Sequence, residues 1–266
     1  MGADCQAIGR RAGKRDCGSS KQPLFWAGFG VEEIGLGIWT YGHGSGGGLI
    51  ELGTVRGRDV ALPVHFHDED QVSFVVAGRR RFLIDAVEHE VGPGQGIGIA
   101  FGTPHRSLCE SDNILCLNFY LTPGCYDIRG LIADLHRRWR CGLGLDTPSV
   151  LVWIATHCGQ QAQAANSRRR AAPAVVGSVR AAAREAGMSR EGYSRRFRRL
   201  HGVAPDTFRL LSQLNLARGL LRTGAPIARV AAETGFSDQS HLGRCFHRTF
   251  GVTPGRYRAG AGSHPF

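Results

Sequence analysis

The chain has 266 residues, enough for two domains of ordinary size. No run of about 18 apolar residues occurs, which excludes a membrane-spanning helix. The formal charge of +11 is unevenly held. Residues 1–160 carry 15 Lys and Arg against 17 Asp and Glu, a net of −2, whereas residues 161–266 carry 18 Arg against 5 acids, a net of +13. A strongly cationic second part implies a polyanion partner there and a different task for the nearly neutral first part. The eight cysteines show no CxxC pair and no regular spacing. That argues against a zinc finger or a disulfide framework and for reduced thiols in a cytoplasmic protein.

Residues 1–22 are polar and Gly/Ser-rich, lack the apolar core of a signal peptide, and read as a disordered arm. Residues 23–122 form the first domain. From residue 50 they alternate short apolar runs (VSFVVAG, RRFLIDA, HEVGPGQGIGIAF, ILCLNFYL) with Gly, Pro and charged punctuation, the pattern of an all-β barrel or sandwich. Histidines fall in HFHDEDQ (65–71) and GTPHRS (102–107). Together these segments resemble the two motifs of the cupin barrel. His65, His67, Gly78 and His105 fit; Gln71 replaces the usual Glu, and Ala100 and Cys109 replace the usual Pro and Asn.

Three converging histidines suit a transition metal. A neutral amide at Gln71, however, is a poorer ligand than a carboxylate and offsets no cation charge. The favoured reading is therefore a pocket for an organic small molecule at the barrel mouth, with His65, His67, Gln71, Arg81 and His105 as its polar lining. No metal, cofactor or catalytic residue is assigned.

Residues 123–160 hold DIRGLIADLHRRW and PSVLVWIATHCGQQ. Leu131, Ile132 and Leu135 suit one amphipathic helix and Val150 to Ile154 another apolar one. Residues 161–172, small, polar and basic, read as the interdomain linker.

Residues 173–260 contain a duplication. VRAAAREAGMS (179–189) matches IARVAAETGFS (227–237) at an offset of 48. After one inserted residue the match resumes at 49, pairing Arg195 with Arg244, Phe197 with Phe246, and Gly202-Val203-Ala204-Pro205 with Gly251-Val252-Thr253-Pro254. Each unit predicts helix, tight turn, helix. In the second, Ile227, Val230 and Ala231 give an apolar face, Gly235 supplies a left-handed turn residue, and Ser237 or Asp238 caps the next helix. Leu242, Cys245, Phe246 and Phe250 form that helix's buried stripe.

Small polar residues at the start of the second helix permit close approach to a DNA groove, and flanking arginines hold phosphates. Between the units, residues 205–224 predict a helical rod of about 26 Å, with Phe208, Leu211, Leu214 and Leu221 as its stripe. Such a rod suits two recognition helices in successive major grooves, about 34 Å apart.

Residues 173–258, and IARVAAETGFSDQSHLGRCFHRTFGVTPGRYR (227–258) above all, resemble the DNA-binding domain of AraC/XylS transcription regulators. The resemblance implies base-edge contacts from Glu191, Ser194 and Arg195 in the first unit, and from Gln239, Ser240, His241, Gly243 and Arg244 in the second. Gly243 has no side chain to read a base. Arg190, Arg198 and Arg248 are the phosphate candidates.

The resemblance further implies that the barrel senses an effector, that the helices after it form a homodimer, and that RNA polymerase is a candidate partner. Packing against the barrel is the other reading of those helices. The expected protein is thus two-domain α+β: an all-β cupin-like barrel with following helices, then an all-α double helix-turn-helix domain. It is expected to bind double-stranded DNA under the control of a small molecule and not to be an enzyme. The rivals are a metal-dependent cupin enzyme fused to a DNA-binding domain, and a nonspecific nucleoid-binding protein.

Overall fold

The computed structural model describes residues 37–143 apart from 47 and 111, residues 145 and 154, and residues 178–260. The expected arm (1–22) and linker (161–172), and most of the second helix after the barrel, lie outside these residues.

Among the described residues the first domain has nine antiparallel strands in two sheets. One sheet runs β1 (Ile38–Gly46), β2 (Leu49–Gly57), β9 (Ile114–Leu121), β4 (Asp70–Ala77), β7 (Gly96–Ile99). The other runs β3 (Leu62–His65), β8 (His105–Ser107), β5 (Arg80–Ile84), β6 (Val87–Val91). Strand period places alternate side chains on opposite faces. In β4, Val75 joins the core between the sheets, along with Gln71 and Ser73, while Val72 and Phe74 point to the other side.

That outer side is covered by α1 (Ile128–Arg140), whose Leu131 and Leu135 pack with Val72, Phe74, Leu117 and Phe119. Asp127 caps α1 by accepting from the Arg129 amide, and Arg137, Arg138 and Arg140 complement its C-terminal dipole. Its apolar face is thus spent on the barrel, which is the second of the two sequence readings and leaves that face unavailable to a dimer partner.

The duplication reappears as two units of equal dimensions. The first is α2 (Val179–Glu185, 7 residues) and α3 (Arg190–His201, 12 residues). The second is α5 (Ile227–Glu233, 7 residues) and α6 (Gln239–Phe250, 12 residues). The first helices start 48 residues apart and the second helices 49, so the inserted residue falls in the turn. Gly187 (φ 64°) and Gly235 (φ 78°) hold the left-handed position that side chains avoid. Ser189 caps α3 and Asp238 caps α6, the latter accepting from the His241 amide at 2.7 Å. Gly202 and Gly251, both left-handed, close the two long helices.

Between the units, α4 (Pro205–Arg222) runs 18 residues with Phe208, Leu211, Leu214 and Leu221 buried, and α7 (Pro254–Ala259) follows the second unit. Phe197, Leu242, Phe246 and Tyr257 fill the space between these helices.

The two domains share one hydrophobic core. It passes without interruption from Val75, Phe82 and Ile97 of the barrel to Phe208, Phe246 and Phe250 of the helical domain. The helical domain lies across the barrel mouth. Phe66 packs against Phe208 in a tilted pair with ring centroids 5.0 Å apart, Tyr41 donates its hydroxyl to the Phe250 carbonyl at 2.8 Å, and Asn215 donates to the Phe66 carbonyl at 2.9 Å.

Candidate functional site

The side chains predicted to face DNA lie on the surface of α3 and α6. Arg190, Glu191, Ser194, Arg195 and Arg198, joined by Arg199, line one shallow groove along α3. This face is oriented outward because Phe197 is buried and the arginines around it are exposed. On α6, Gln239, Ser240, Arg244 and Arg248 are exposed, while His241 and Gly243 are half-buried. The His241 ring leans edge-on to Phe236, 5.2 Å away, and its Nδ1 lies 3.2 Å from the Ser237 hydroxyl. A Cβ placed on Gly243 would meet nothing within 4 Å.

Other exposed arginines are neutralised locally: Arg209 by Asp206 at 3.2 Å, Arg229 by Glu233 at 2.6 Å and Arg137 by Asp134 at 2.7 Å. Among the described residues, Arg190, Arg195, Arg198, Arg244 and Arg248 have no carboxylate within ion-pair distance. The faces of α3 and α6 therefore keep uncancelled positive charge beside a helix N-terminus, an arrangement that attracts phosphate.

The barrel mouth holds a different set of charges. His65, His67 and His105 come together with their ligand atoms within 4.8 Å of one another. Gln71 is buried beside them, donating to the Ser73 hydroxyl at 2.9 Å and to Asn118 Oδ1 at 3.3 Å. Arg81 is not part of this group. Its side chain lies on the barrel's outer surface, bound to Glu110 at 3.0 Å and Glu88 at 3.1 Å. The inward guanidinium belongs to Arg80, which is 2% exposed and sits between the Trp39 and Phe82 rings, 5.0 and 4.8 Å from their centroids. The expectation was off by one strand position, and strand alternation makes that the whole thickness of the sheet.

A second buried network joins the domains. Arg218 of α4, 1% exposed, donates to Glu51 at 2.7 Å, to Glu69 at 3.3 Å and to Nδ1 of His67 at 2.8 Å. Arg222 reaches Glu69 at 2.8 Å and Glu51 at 3.5 Å, and the Tyr257 hydroxyl donates to Glu51. The apolar periodicity of α4 does not name these partners, but Asn215 and Arg218 stand on its buried face as polar residues. Their signal is a polar interruption of an otherwise apolar stripe.

The hydrogen bonds fix the imidazole tautomers. His65 Nδ1 donates to the Pro63 carbonyl at 2.8 Å and His105 Nδ1 to the Thr103 carbonyl at 2.9 Å, so both present a bare Nε2. His67 Nδ1 must accept from Arg218, which has no lone pair to offer, so its proton sits on Nε2. Burial keeps all three rings neutral. It holds His105 down to about 4, and holds His65 and His67 well below the usual imidazole range, with the Arg218 charge adding to the effect at His67.

Ligation of a cation by all three histidines needs three free lone pairs, and here one nitrogen carries a hydrogen. The Gln71 amide brings no negative charge, and Arg80 adds a positive one. The cluster does not fit a metal in this arrangement of domains.

The molecule is thus a two-domain protein in which a double helix-turn-helix domain is docked on a cupin-like β-barrel. Residues 182–260 match the family model described as "Helix-turn-helix domain". That match covers the helical domain alone. Among curated proteins the chain is similar to the HTH-type transcriptional regulator MtrA of Neisseria gonorrhoeae, at 35% identity over 80 residues. That stretch is 29% of this chain and spans about a quarter, 26%, of the relative's length. Among solved structures, ToxT from Vibrio cholerae O395 aligns over 86% of this chain and 98% of its own, at 11% identity and a TM-score of 0.45. An AraC-type DNA-binding regulator from Chromobacterium violaceum aligns over 34% of this chain and 80% of its own, at 31% identity and a TM-score of 0.31.

Proposed function

We propose that the chain is a sequence-specific DNA-binding transcription regulator whose barrel responds to a small-molecule effector. One observation carries this reading: two helices at equivalent positions of a duplicated unit each expose a capped, polar N-terminal half flanked by arginines that have no ion pair among the described residues. In this reading α3 and α6 enter neighbouring major grooves of one duplex. Arg195 and Arg244 reach base edges, Glu191, Ser194, Gln239, Ser240 and His241 add polar contacts, and Arg190, Arg198 and Arg248 hold phosphates. The matched family model and the name of the gonococcal relative support it over that region.

His65, His67, Gln71 and His105, with Arg80 in place of Arg81, form the effector end. The described helices give the effector a direct route to DNA, because Phe250, the last residue of α6, also lines the barrel pocket. RNA polymerase as a further partner belongs to the same reading, as does a homodimer built on surfaces other than the buried face of α1. No helix among the described residues is long and apolar enough to cross a membrane.

Selection of bound sequences from a random duplex pool tests the DNA reading. A two-part motif spaced by about one helical turn is expected, and a failure to enrich any motif refutes it in favour of nonspecific binding. Arg195→Ala and Arg244→Ala should each weaken binding to the selected site by about 1–3 kcal/mol and relax sequence preference in opposite halves of the motif. An equal loss on all sequences makes that arginine a phosphate contact instead.

A further inference from the structure

The barrel interior contains a cation that the protein does not neutralise. Arg218 and Arg222 face Glu51 and Glu69, so the charges of the interdomain network cancel. Arg80 stands outside that network. Its Nε and Nη1 are buried with no hydrogen-bond partner among the described residues, and its flat faces are covered by Trp39 and Phe82. The Cys116 thiol hydrogen-bonds the guanidinium but is kept protonated by burial, so it supplies no counter-charge. Aromatic faces compensate a buried guanidinium only in part, and unpaired N–H groups in an apolar site are among the costliest features a fold retains.

The same cavity receives the Nε2–H of His67, which also lacks a partner, together with the open Nε2 of His105 and Oε1 of Gln71. Donors from two sides, a guanidinium N–H and an imidazole N–H, match the two oxygens of a carboxylate.

We propose that this cavity binds the carboxylate group of a small organic acid, held by an unpartnered guanidinium N–H of Arg80 on one side and by the Nε2–H of His67 on the other. The proposal rests on the reading of the barrel as a sensor and names the chemical class sensed. As it stands the cavity measures about 10 Å³, room for a single water-sized group. The carbon skeleton attached to the carboxylate must therefore take space now filled by a side chain.

Phe250 is that side chain. Its ring lies 6.0 Å from His67 and 6.4 Å from His65, and it comes from the helical domain, not from the barrel. Binding of the acid thus displaces the C-terminal end of α6 and breaks the Tyr41–Phe250 hydrogen bond. His67 keeps its donor tautomer only while Arg218 remains docked, so Arg218 orients the second donor.

The test uses the purified full-length chain and a panel of formate, acetate, propionate and benzoate. Acetamide and benzamide serve as uncharged counterparts, and cobalt(II) and zinc(II) as the cation arm. Melting temperature and tryptophan emission, to which Trp39 beside Arg80 contributes, are read in each titration. At least one acid should give a saturable rise of about 2–4 °C while its amide gives none. Arg80→Met should abolish the response and melt at or above the wild-type temperature, since it removes the unpartnered charge. Should Arg80→Met fail to fold, Arg80→Lys carries the test, with affinity for the acid reduced about tenfold or more and the amide still ignored.

No response to any acid overturns the proposal, as does an equal response to acid and amide, an unchanged response in the Arg80 variant, or a response to the metal ions alone. The same titrations repeated with the selected duplex separate this from the sensor reading. Acid binding with unaltered DNA affinity keeps the pocket assignment and removes its regulatory role.

Discussion

The two helix-turn-helix units are near copies in sequence and dimensions, yet they relate differently to the barrel. The second is fastened to it: Phe250 roofs the histidine cluster, its carbonyl takes the Tyr41 hydroxyl, and the following Gly251 lies against the Trp39 indole. The first approaches the barrel where Gly202 meets Pro104, and its α3 carries the richer set of unpaired arginines. Duplication thus yielded one unit whose long helix keeps an open, arginine-lined face and one whose long helix ends inside the barrel mouth. The charges divide along the same line, being exposed and uncancelled on α3 but buried and matched where α4 meets the barrel.

The strongest way to break this asymmetry is Arg218→Ala. It leaves Glu51 and Glu69 buried with Arg222 as their remaining cation, and should cost about 3–5 kcal/mol in urea denaturation. Loss of docking should also appear as protease cleavage between the domains. A stability within 1 kcal/mol of wild type means the clamp does not hold the domains together.

Acid should come next. His105 is neutral in the fold down to about pH 4, and an unfolded histidine takes a proton near 6.5. Between those values the unfolded chain binds more protons. Stability is therefore intact above pH 6.5 and falls as the pH drops, by about 3 kcal/mol for His105 alone once pH 4 is passed. His65 and His67 shift in the same direction. Melting curves across this range check the sign, and a protein equally stable at pH 7 and 4.5 contradicts the buried neutral triad.

The two helix-closing glycines sharpen the comparison. Gly202 and Gly251 have φ of 73° and 74°, so alanine costs about 1–2 kcal/mol of backbone strain at either position. A Cβ at 251 would also press on the Trp39 ring at 2.5 Å, against 3.0 Å from the Pro104 ring at 202. Gly251→Ala should accordingly be the more destabilising of the pair in thermal melts. Equal losses would mean the second unit is no more tightly seated than the first.

The smallest effect concerns Gly243, in the middle of α6 with open space around it. Gly243→Ala should stabilise by about 0.5–1 kcal/mol. Weaker binding to the selected DNA, despite that gain, would show that the backbone there comes close to the groove.

The local layers of this structure were legible in the sequence, and its long-range polar layer was not. The 48/49 offset foretold both units down to the inserted residue, because caps, turn glycines and apolar stripes are local signals. The histidine pairing across β3 and β8 was likewise visible in two short motifs. Arg80 and Arg81 were confused, although Phe82 and Ile84 in the same strand already mark the even positions as inward. The Arg218 clamp joins residues more than 140 positions apart, and no pattern along one element encodes such a meeting. The buried role of α1 stayed undecided because an apolar helix face reads the same whether it meets a sheet or a second chain.

The continuous core across the two domains bears on how such a protein can be rebuilt. A helical fragment cut away at residue 178 would leave Phe208, Phe250 and Arg218 facing water, so its surface would be sticky where the barrel had been. Exchanging the barrel for a foreign one would require transplanting acceptors equivalent to Glu51, Glu69 and the Phe66 carbonyl along with it. The two halves are separate in topology but have to be inherited together.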